Sequence, residues 1–139
     1  MEMPEIGSIV DIVIEIPRGS RVKHRLDGSV EYASPLAVPF DYGSVPGLLS
    51  GDGMPLDAIV LGGPRPVGTW LSLPVRGIVP FVDAGLDDPK LVCSKAPLTS
   101  EERRLVERFF WWFSRGKWVV NLLRQGDGRT RAGAPTWEF

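Results

Sequence analysis

The chain has 139 residues, enough for one domain with a single core, and its net charge is −1. That charge argues against a general binder of nucleic acid or of acidic membranes. A single cysteine and a single histidine exclude an internal disulfide and a zinc-ligand cluster. We find no apolar stretch as long as a membrane span and no signal-peptide pattern, so we expect a cytoplasmic protein.

Short apolar runs rich in Val and Ile follow one another along most of the chain. Gly, Pro and Asp separate them, and this alternation favours strands of a small β-barrel over helices. The predicted strands include residues 9–16, 58–61, 70–73, 75–79 and 90–93. Predicted turns lie at Asp27-Gly28, at 62–64 and at 67–68. We therefore predict a mainly β, α+β fold.

One principal helix is predicted at about residues 100–114. Thr99 and Glu102 have the spacing of a capping box, in which each side chain bonds the backbone of the other. An apolar stripe follows, formed by Leu105, Val106, Phe109, Phe110 and Phe113. Gly116 is a predicted stop, and Trp118–Val120 is a predicted last strand.

Two segments are predicted from composition. Residues 1–124 carry the strand and helix patterns and form the predicted barrel domain. Residues 125–139 begin Gly-rich and polar and end in Pro135-Thr-Trp-Glu-Phe139, so we expect a flexible link with a docked or partner-bound end.

Acidic residues gather in two predicted turns. Asp52 and Asp57 flank Gly53 and Pro55, and a second group contains Asp83, Asp87 and Asp88. Oxygen ligands without His or Cys favour a hard cation such as Mg²⁺, with Mn²⁺ as the alternative. Asp-Gly and Asp-Pro pairs also form ordinary turns, and for Asp52 taken alone that interpretation is the stronger one.

Four blocks of sequence occur in a specific order. They are Ile14-Glu-Ile-Pro-Arg-Gly-Ser-Arg-Val-Lys23, Val38-Pro-Phe-Asp-Tyr-Gly-Ser-Val-Pro46, Asp52-Gly-Met-Pro-Leu-Asp57 and Val82-Asp-Ala-Gly-Leu-Asp-Asp-Pro-Lys90. Together they resemble the family I soluble inorganic pyrophosphatases. The resemblance implies a five-stranded OB-like barrel, Mg²⁺-dependent hydrolysis of diphosphate and a homo-oligomer.

The resemblance also implies a role for particular side chains. The implied metal ligands are Asp52, Asp57, Asp83 and Asp88, and the implied contacts to substrate are Glu15, Lys23, Tyr42 and Lys90. Asp57 is in addition our candidate catalytic residue. Metals beside lysines suit an in-line attack of water on phosphorus.

Several positions depart from the family pattern. Met54 stands where the family has the middle aspartate of its acidic signature, and a thioether is neither a hard-metal ligand nor a proton acceptor. The other departures are Arg25, Val38, Ala84, Phe113 and Ser114, and an expected arginine near Val30 is missing.

These departures leave three interpretations open. The first is a Mg²⁺-dependent pyrophosphatase of reduced activity, in which either Asp57 or the metal alone activates the water. The second is a catalytically degenerate metal- and phosphate-binding or structural protein. The third is another phosphate-containing small molecule as substrate, in a pocket opened at Val38 and Phe113.

Aromatic residues cluster near the helix and the C-terminus, among them Trp111, Trp112, Phe113 and Trp137. Trp is seldom fully buried, and aromatic residues are favoured at the centres of interfaces. We therefore expect a homo-oligomer with no nucleic-acid or membrane partner. In the alternative, Trp112 and Trp118 complete the core and the tail docks on its own barrel.

Overall fold

The computed structural model describes residues 3–20, 22–24, 30–33, 37–125 and 130–138. The larger strands are β1 (Ile9–Ile16), β4 (Asp41–Leu49), β5 (Pro55–Val60), β6 (Trp70–Val79) and β9 (Lys90–Cys93). The shorter strands are β2 (Val22–His24), β3 (Val30–Ala33), β7 (Phe81–Asp83), β8 (Leu86–Asp87), β10 (Arg131–Ala132) and β11 (Thr136–Trp137). The helix α1 spans Ser100–Gln125. Within the described ranges, no helix is both long and apolar enough to cross a membrane.

The five larger strands close into a barrel in the order β1-β4-β5-β9-β6, and β6 pairs back with β1. Four of the five pairings are antiparallel, while β5 and β9 run parallel. Closure removes the exposed edges that an open sheet of this size would present. The expected five-stranded, OB-like barrel is thereby confirmed.

Two apolar clusters lie on the two faces of this sheet. Alternation along β5 separates them, because Leu56, Ala58 and Val60 belong to one cluster and Ile59 belongs to the other. The first cluster fills the barrel. The second contains Phe40, Phe81, Phe109 and Phe110, and it joins the outer face of the barrel to α1.

The helix begins as predicted. The backbone N–H of Glu102 donates to the Thr99 hydroxyl at 3.1 Å, and the N–H of Thr99 donates to the Glu102 carboxylate at 2.9 Å. Leu105 leaves the predicted stripe, since it is 37% exposed.

The end of the helix was predicted wrongly. α1 continues through Gly116 to Gln125, so the predicted stop at Gly116 and the predicted strand Trp118–Val120 are both incorrect. A glycine inside a helix costs about 1 kcal/mol relative to alanine, which the following residues can offset. Those residues include two leucines, an arginine and a glutamine, which form helix readily.

The described part of the C-terminal tail docks on its own barrel. β11 pairs with β6, and Trp137 lies directly over Gly77, where a Cβ would come within 2.3 Å of the indole. Arg76 forms an ion pair with Glu138 at 3.1 Å, and Arg103 of α1 donates to the backbone carbonyl of Glu138 at 2.9 Å. The tail therefore joins the barrel to the helix.

Candidate active site

Two parallel strands bring an acid and a base together. In the register between β5 and β9, Asp57 is the partner of Lys90. The Lys90 ammonium lies 2.6 Å from Oδ2 of Asp57 and 2.6 Å from Oδ2 of Asp88. Because Asp57 and Lys90 belong to strands, backbone hydrogen bonds set this spacing.

Lys90 is 2% exposed, and its Nζ also lies 5.1 Å from the centre of the Phe81 ring. Burial alone would lower its pKa, but the carboxylates of Asp57 and Asp88 outweigh burial and raise the pKa above its ordinary value. The side chain is thus held in its charged form, as a cation between two acids.

Asp88 is buried, at 5% exposure, and its backbone N–H donates to the carbonyl of Phe81 at 2.9 Å. Burial raises the pKa of its carboxyl, and the negative charges of Asp57 and Asp52 raise it further, while Lys90 partly offsets them. The negative charges of Asp52 and Asp57 therefore both act on the Asp88 carboxyl, so the three acids lie near enough to influence one another.

Tyr42 completes this group. Its hydroxyl donates to Oδ2 of Asp57 at 2.9 Å. It reaches Asp57 diagonally, since its direct partner across the ladder is Ile59. Glu15 lies beside it in β1, at an irregularity in the pairing between Ile14–Gly43 and Ile16–Tyr42.

The two acidic turns touch through their backbones. The N–H of Gly51 donates to the carbonyl of Asp87 at 2.9 Å. A Cβ at position 51 would lie 2.8 Å from that carbonyl oxygen, so only glycine permits this approach. Asp52 accepts hydrogen bonds from the Ser50 hydroxyl and from the N–H of Met54, so it forms the turn that its sequence favours.

Known proteins are similar to this chain in sequence and in fold. The family model described as inorganic pyrophosphatase matches residues 12–107. The chain belongs to the inorganic pyrophosphatase family.

Relatives and solved structures extend the comparison. The chain is 36% identical over 105 residues to a soluble inorganic pyrophosphatase of Oryza sativa, a match covering 68% of this chain and 49% of the relative. It is 36% identical over 97 residues to an inorganic pyrophosphatase of Gluconobacter oxydans, covering 64% and 56%. The crystal structure of an inorganic pyrophosphatase from Neisseria gonorrhoeae matches with a TM-score of 0.72 at 26% identity, covering 94% of this chain and 83% of that one. The chain spans about half the length of the curated relatives it matches.

The structure brings some of the residues that the pyrophosphatase resemblance implies into direct contact. Asp57, Asp88, Lys90 and Tyr42 are in contact. Asp83 lies in β7, half-buried, opposite Leu86. The backbone of Lys23 lies in β2. The side chain of Lys23, the whole of Arg25 and the predicted turn at residues 27–28 lie outside the described residues.

The departures from the pyrophosphatase pattern have distinct surroundings. Met54 is 61% exposed at the tip of the Asp52 turn. Val38 is buried in the cluster between barrel and helix, and Phe113 packs against the same cluster with its ring 5.7 Å from that of Phe81. The expectation of a pocket opened at these two positions is therefore wrong, because their own side chains fill the space.

Ser114 is buried, and its hydroxyl donates to the carbonyl of Trp111 at 3.0 Å. Such a bond to the preceding turn of a helix is a local structural role. This bond satisfies the buried hydroxyl of Ser114, so no ligand is needed to explain the serine.

Asp41, which precedes Tyr42, was not among the predicted site residues. Its carboxylate is fully buried and accepts hydrogen bonds from the N–H of Arg18 at 2.8 Å and from the Arg65 guanidinium at 2.8 Å. This network ties the segment after β1 and the loop after β5 to the first residue of β4. The available signal was an acid directly beside an implied site tyrosine.

The donor set fits a hard divalent cation. Asp52, Asp57 and Asp88 supply only oxygen, and each carboxylate carries a second oxygen besides the one in the contacts above. A cation already stabilises Asp57 and Asp88, in the form of Lys90. Within the described part of the chain, however, no three His, Cys, Asp or Glu residues are arranged as a ready-made metal site.

Proposed function

We propose that the chain is a Mg²⁺-dependent diphosphatase that hydrolyses diphosphate to phosphate, with Mn²⁺ as a second usable cation. The observation that carries this proposal is the contact of Lys90 with Asp57 and Asp88 in a barrel of the pyrophosphatase family. Asp52, Asp57 and Asp88 are the proposed metal ligands, with Asp83 assisting.

A divalent cation in such a site would lower the pKa of a bound water and neutralise phosphate charge. The protein's own part is positioning. Lys90 holds Asp57 and Asp88 on one side of the site, and Tyr42 fixes the orientation of the Asp57 carboxylate. An ammonium has three N–H donors, and two are used here, so the third is our candidate contact to a phosphate oxygen. Lys23, Tyr42 and Glu15 are the further proposed contacts to substrate.

We further propose that the activity is reduced relative to pyrophosphatases with an intact signature. Met54 cannot accept a proton, and losing a general base typically costs about 10²–10⁴-fold in rate. Asp57 is the residue best placed to take that role, since it is only partly buried and is fixed by both Tyr42 and Lys90.

A catalytically degenerate metal- and phosphate-binding or structural protein is the second candidate. Its supporting observation is again Met54, whose exposed thioether occupies the turn where the acid of the family stands. Binding without turnover would separate it from the first candidate. The two share the Asp52, Asp57 and Asp88 acids and differ in the chemical step.

Phosphate release from diphosphate, with Mg²⁺ and separately with Mn²⁺, tests the function. We expect slow, metal-dependent release by the parent chain and about a 10²-fold or larger loss for Asp57→Asn. Asp11→Asn is the matched control, because Asp11 is exposed on β1 and bonds Ser72 outside this cluster. Release that is equal in parent and Asp57→Asn would exclude the proposed site. Metal binding without any release would favour the second candidate.

We also propose a homo-oligomer in the cytoplasm. Trp111 and Trp112 are 49% and 60% exposed, and their rings meet edge to face at 4.8 Å. Large exposed aromatic surface suits the centre of a subunit interface. Because the tail docks on its own barrel, the helix face is the proposed contact. Light scattering during size-exclusion chromatography tests it: a mass above 15.3 kDa is expected, and a single-chain mass at micromolar concentration would exclude it.

A further inference from the structure

The acidic turn that carries Asp83 and Asp88 is held by a three-stranded sheet outside the barrel. Its strand order is β10-β7-β8, so β10, which comes from the C-terminal segment, is one edge of this sheet. β10 pairs Arg131 with Val82 and Ala132 with Phe81. The N–H of Gly133 extends the pairing by donating to the carbonyl of Pro80 at 2.8 Å.

Ala84 is the point at which this turn stores strain. Its φ is 50°, in the left-handed region that a residue with a Cβ seldom adopts. Such a conformation persists only where the surroundings over-determine it. Here the N–H of Ala84 donates to the Thr130 hydroxyl at 3.0 Å, and Thr130 is buried beside it.

We propose that Thr130 is a positioning residue for the metal-ligating turn. By accepting the Ala84 N–H, it fixes the backbone between Asp83 and Asp88 and so presents their carboxylates to a divalent cation. This inference rests on the proposed function, since it assumes that Asp83 and Asp88 serve a metal. It assigns to the C-terminal segment a part in the site, although that segment lies far from the acidic blocks in sequence.

Binding of Mn²⁺ to the whole chain tests the inference without reference to turnover. Free Mn²⁺ is counted by its electron paramagnetic resonance signal in the parent, in Thr130→Val and in Thr130→Ser. We expect Thr130→Val to bind Mn²⁺ about two- to tenfold more weakly, which is the effect of losing one ordinary hydrogen bond. Thr130→Ser keeps the hydroxyl and is expected to bind as the parent does.

Thr136→Val is the matched control. Thr136 is an exposed threonine of the same tail, in β11, where it pairs with Ile78 rather than with the acidic turn. A purely structural role of Thr130 would lower the melting temperature of Thr130→Val and leave the Mn²⁺ affinity of the folded protein unchanged. Equal affinity in the parent and Thr130→Val overturns the inference, as does equal weakening in Thr130→Ser or in Thr136→Val.

Failure of the inference differs from failure of the proposed function. A parent chain that binds no Mn²⁺ overturns both the metal site and the role of Thr130. A parent that binds while Thr130→Val binds equally well overturns only the latter. Should Thr130→Val not fold, hydrogen exchange at the Ala84 amide of the parent, measured with and without Mn²⁺, decides instead. Slower exchange with Mn²⁺ than without it is expected, and equal exchange overturns the inference.

Discussion

Lys90 and Asp57 are direct partners across two parallel strands, and the ammonium of Lys90 joins the Asp57 carboxylate to that of Asp88 at 2.6 Å each. One buried cation therefore keeps two acids close to each other. Without it, the two carboxylates would repel each other in a partly desolvated environment. We therefore expect the stability of the fold and the proposed metal site to depend on the same side chain.

Replacing that cation by an apolar side chain of similar length tests the dependence. Lys90→Met leaves Asp57 and Asp88 without their shared partner, and removing one member of a buried pair costs about 3–5 kcal/mol. We expect a fall in the free energy of unfolding near the lower end of that range, because Asp57 is partly solvated. Urea denaturation measures it. Lys95→Met, at an exposed lysine, is the control and is expected to unfold as the parent does. Unchanged stability of Lys90→Met would contradict the proposed coupling.

Met54→Asp restores the acid of the family signature. Because Met54 is exposed at the turn tip, we expect little change in stability and a rise in the rate of diphosphate hydrolysis of about 10²–10⁴-fold. Steady-state phosphate release with Mg²⁺ measures it. Met54→Asn, which has the same shape without the charge, is expected to stay at the parent rate. A parent chain that is already as fast as an intact pyrophosphatase, or a slower Met54→Asp, would show that the methionine at this position does not lower the rate of hydrolysis.

Burial raises the pKa of the Cys93 thiol to about 12. We expect native protein at pH 8 to resist thiol reagents and to react fully once unfolded. The unfolded thiol ionises near pH 9.0 while the native thiol stays protonated, so this contribution to stability is present below pH 9 and is lost as pH rises toward 12.

The slope of this loss approaches about 1.4 kcal/mol per pH unit. Other groups titrate in the same range, so the parent is compared with Cys93→Ala, which lacks the thiol but shares the rest. Free energies of unfolding between pH 8 and pH 11 are expected to converge for the two proteins. Parallel pH profiles would contradict the assignment.

The contact of Trp137 with Gly77 predicts a coupled pair of substitutions. Gly77→Ala would place a methyl group 2.3 Å from the indole, so it must displace the tail, at a cost of about 1–3 kcal/mol for overpacking. In a Trp137→Ala background that clash is absent, and the same change should cost much less. A double-mutant cycle of unfolding free energies measures the difference. Independent, additive effects would mean that the tail does not dock there.

Much of the barrel was predictable because its strands alternate or run apolar in short β-branched segments. Ile9–Ile16 and Lys90–Cys93 were predicted with the bounds that the structure has. β4 was not predicted, because Gly43, Pro46 and Gly47 interrupt its pattern. Its sequence does not show why it stays extended: a Cβ at Gly43 would meet the carbonyl of Val13 at 2.1 Å, so close backbone approach rather than propensity selects that residue.

For the helix, only the start could be predicted from the sequence. Its start was predictable from a local exchange of hydrogen bonds between Thr99 and Glu102. Its end was not, because Gly116 is only a modest local penalty and the outcome depends on the whole following segment. Local capping chemistry is readable from four residues, whereas helix length is a sum over many.

The contacts of the candidate site could likewise be predicted only in part. The order of motifs predicted which acids and bases belong together, and Asp57, Asp88, Lys90 and Tyr42 do meet. Contacts that rest on long-range packing were invisible, among them the approach of Gly51 to Asp87 and the hydrogen bond from Ala84 to Thr130. The catalytic, metal-binding and substrate-binding roles of Asp57, Asp88, Lys90 and Tyr42 stay predictions, as do those of Asp52, Asp83, Glu15 and Lys23.

Because Asp57 pairs directly with Lys90, the distance between these two residues does not depend on the lengths of the loops. Both residues lie inside strands, and the ladder between β5 and β9 fixes their separation whatever connects those strands through β6. The segment that joins β5 to β6, residues 61–69, can gain or lose residues while the pairing register is kept, whereas residues 84–89 belong to the candidate site, because they contain Asp88 and the Ala84 contact to Thr130. The length of the first segment can therefore change, as it generally can in surface loops, without moving Asp57 away from Lys90.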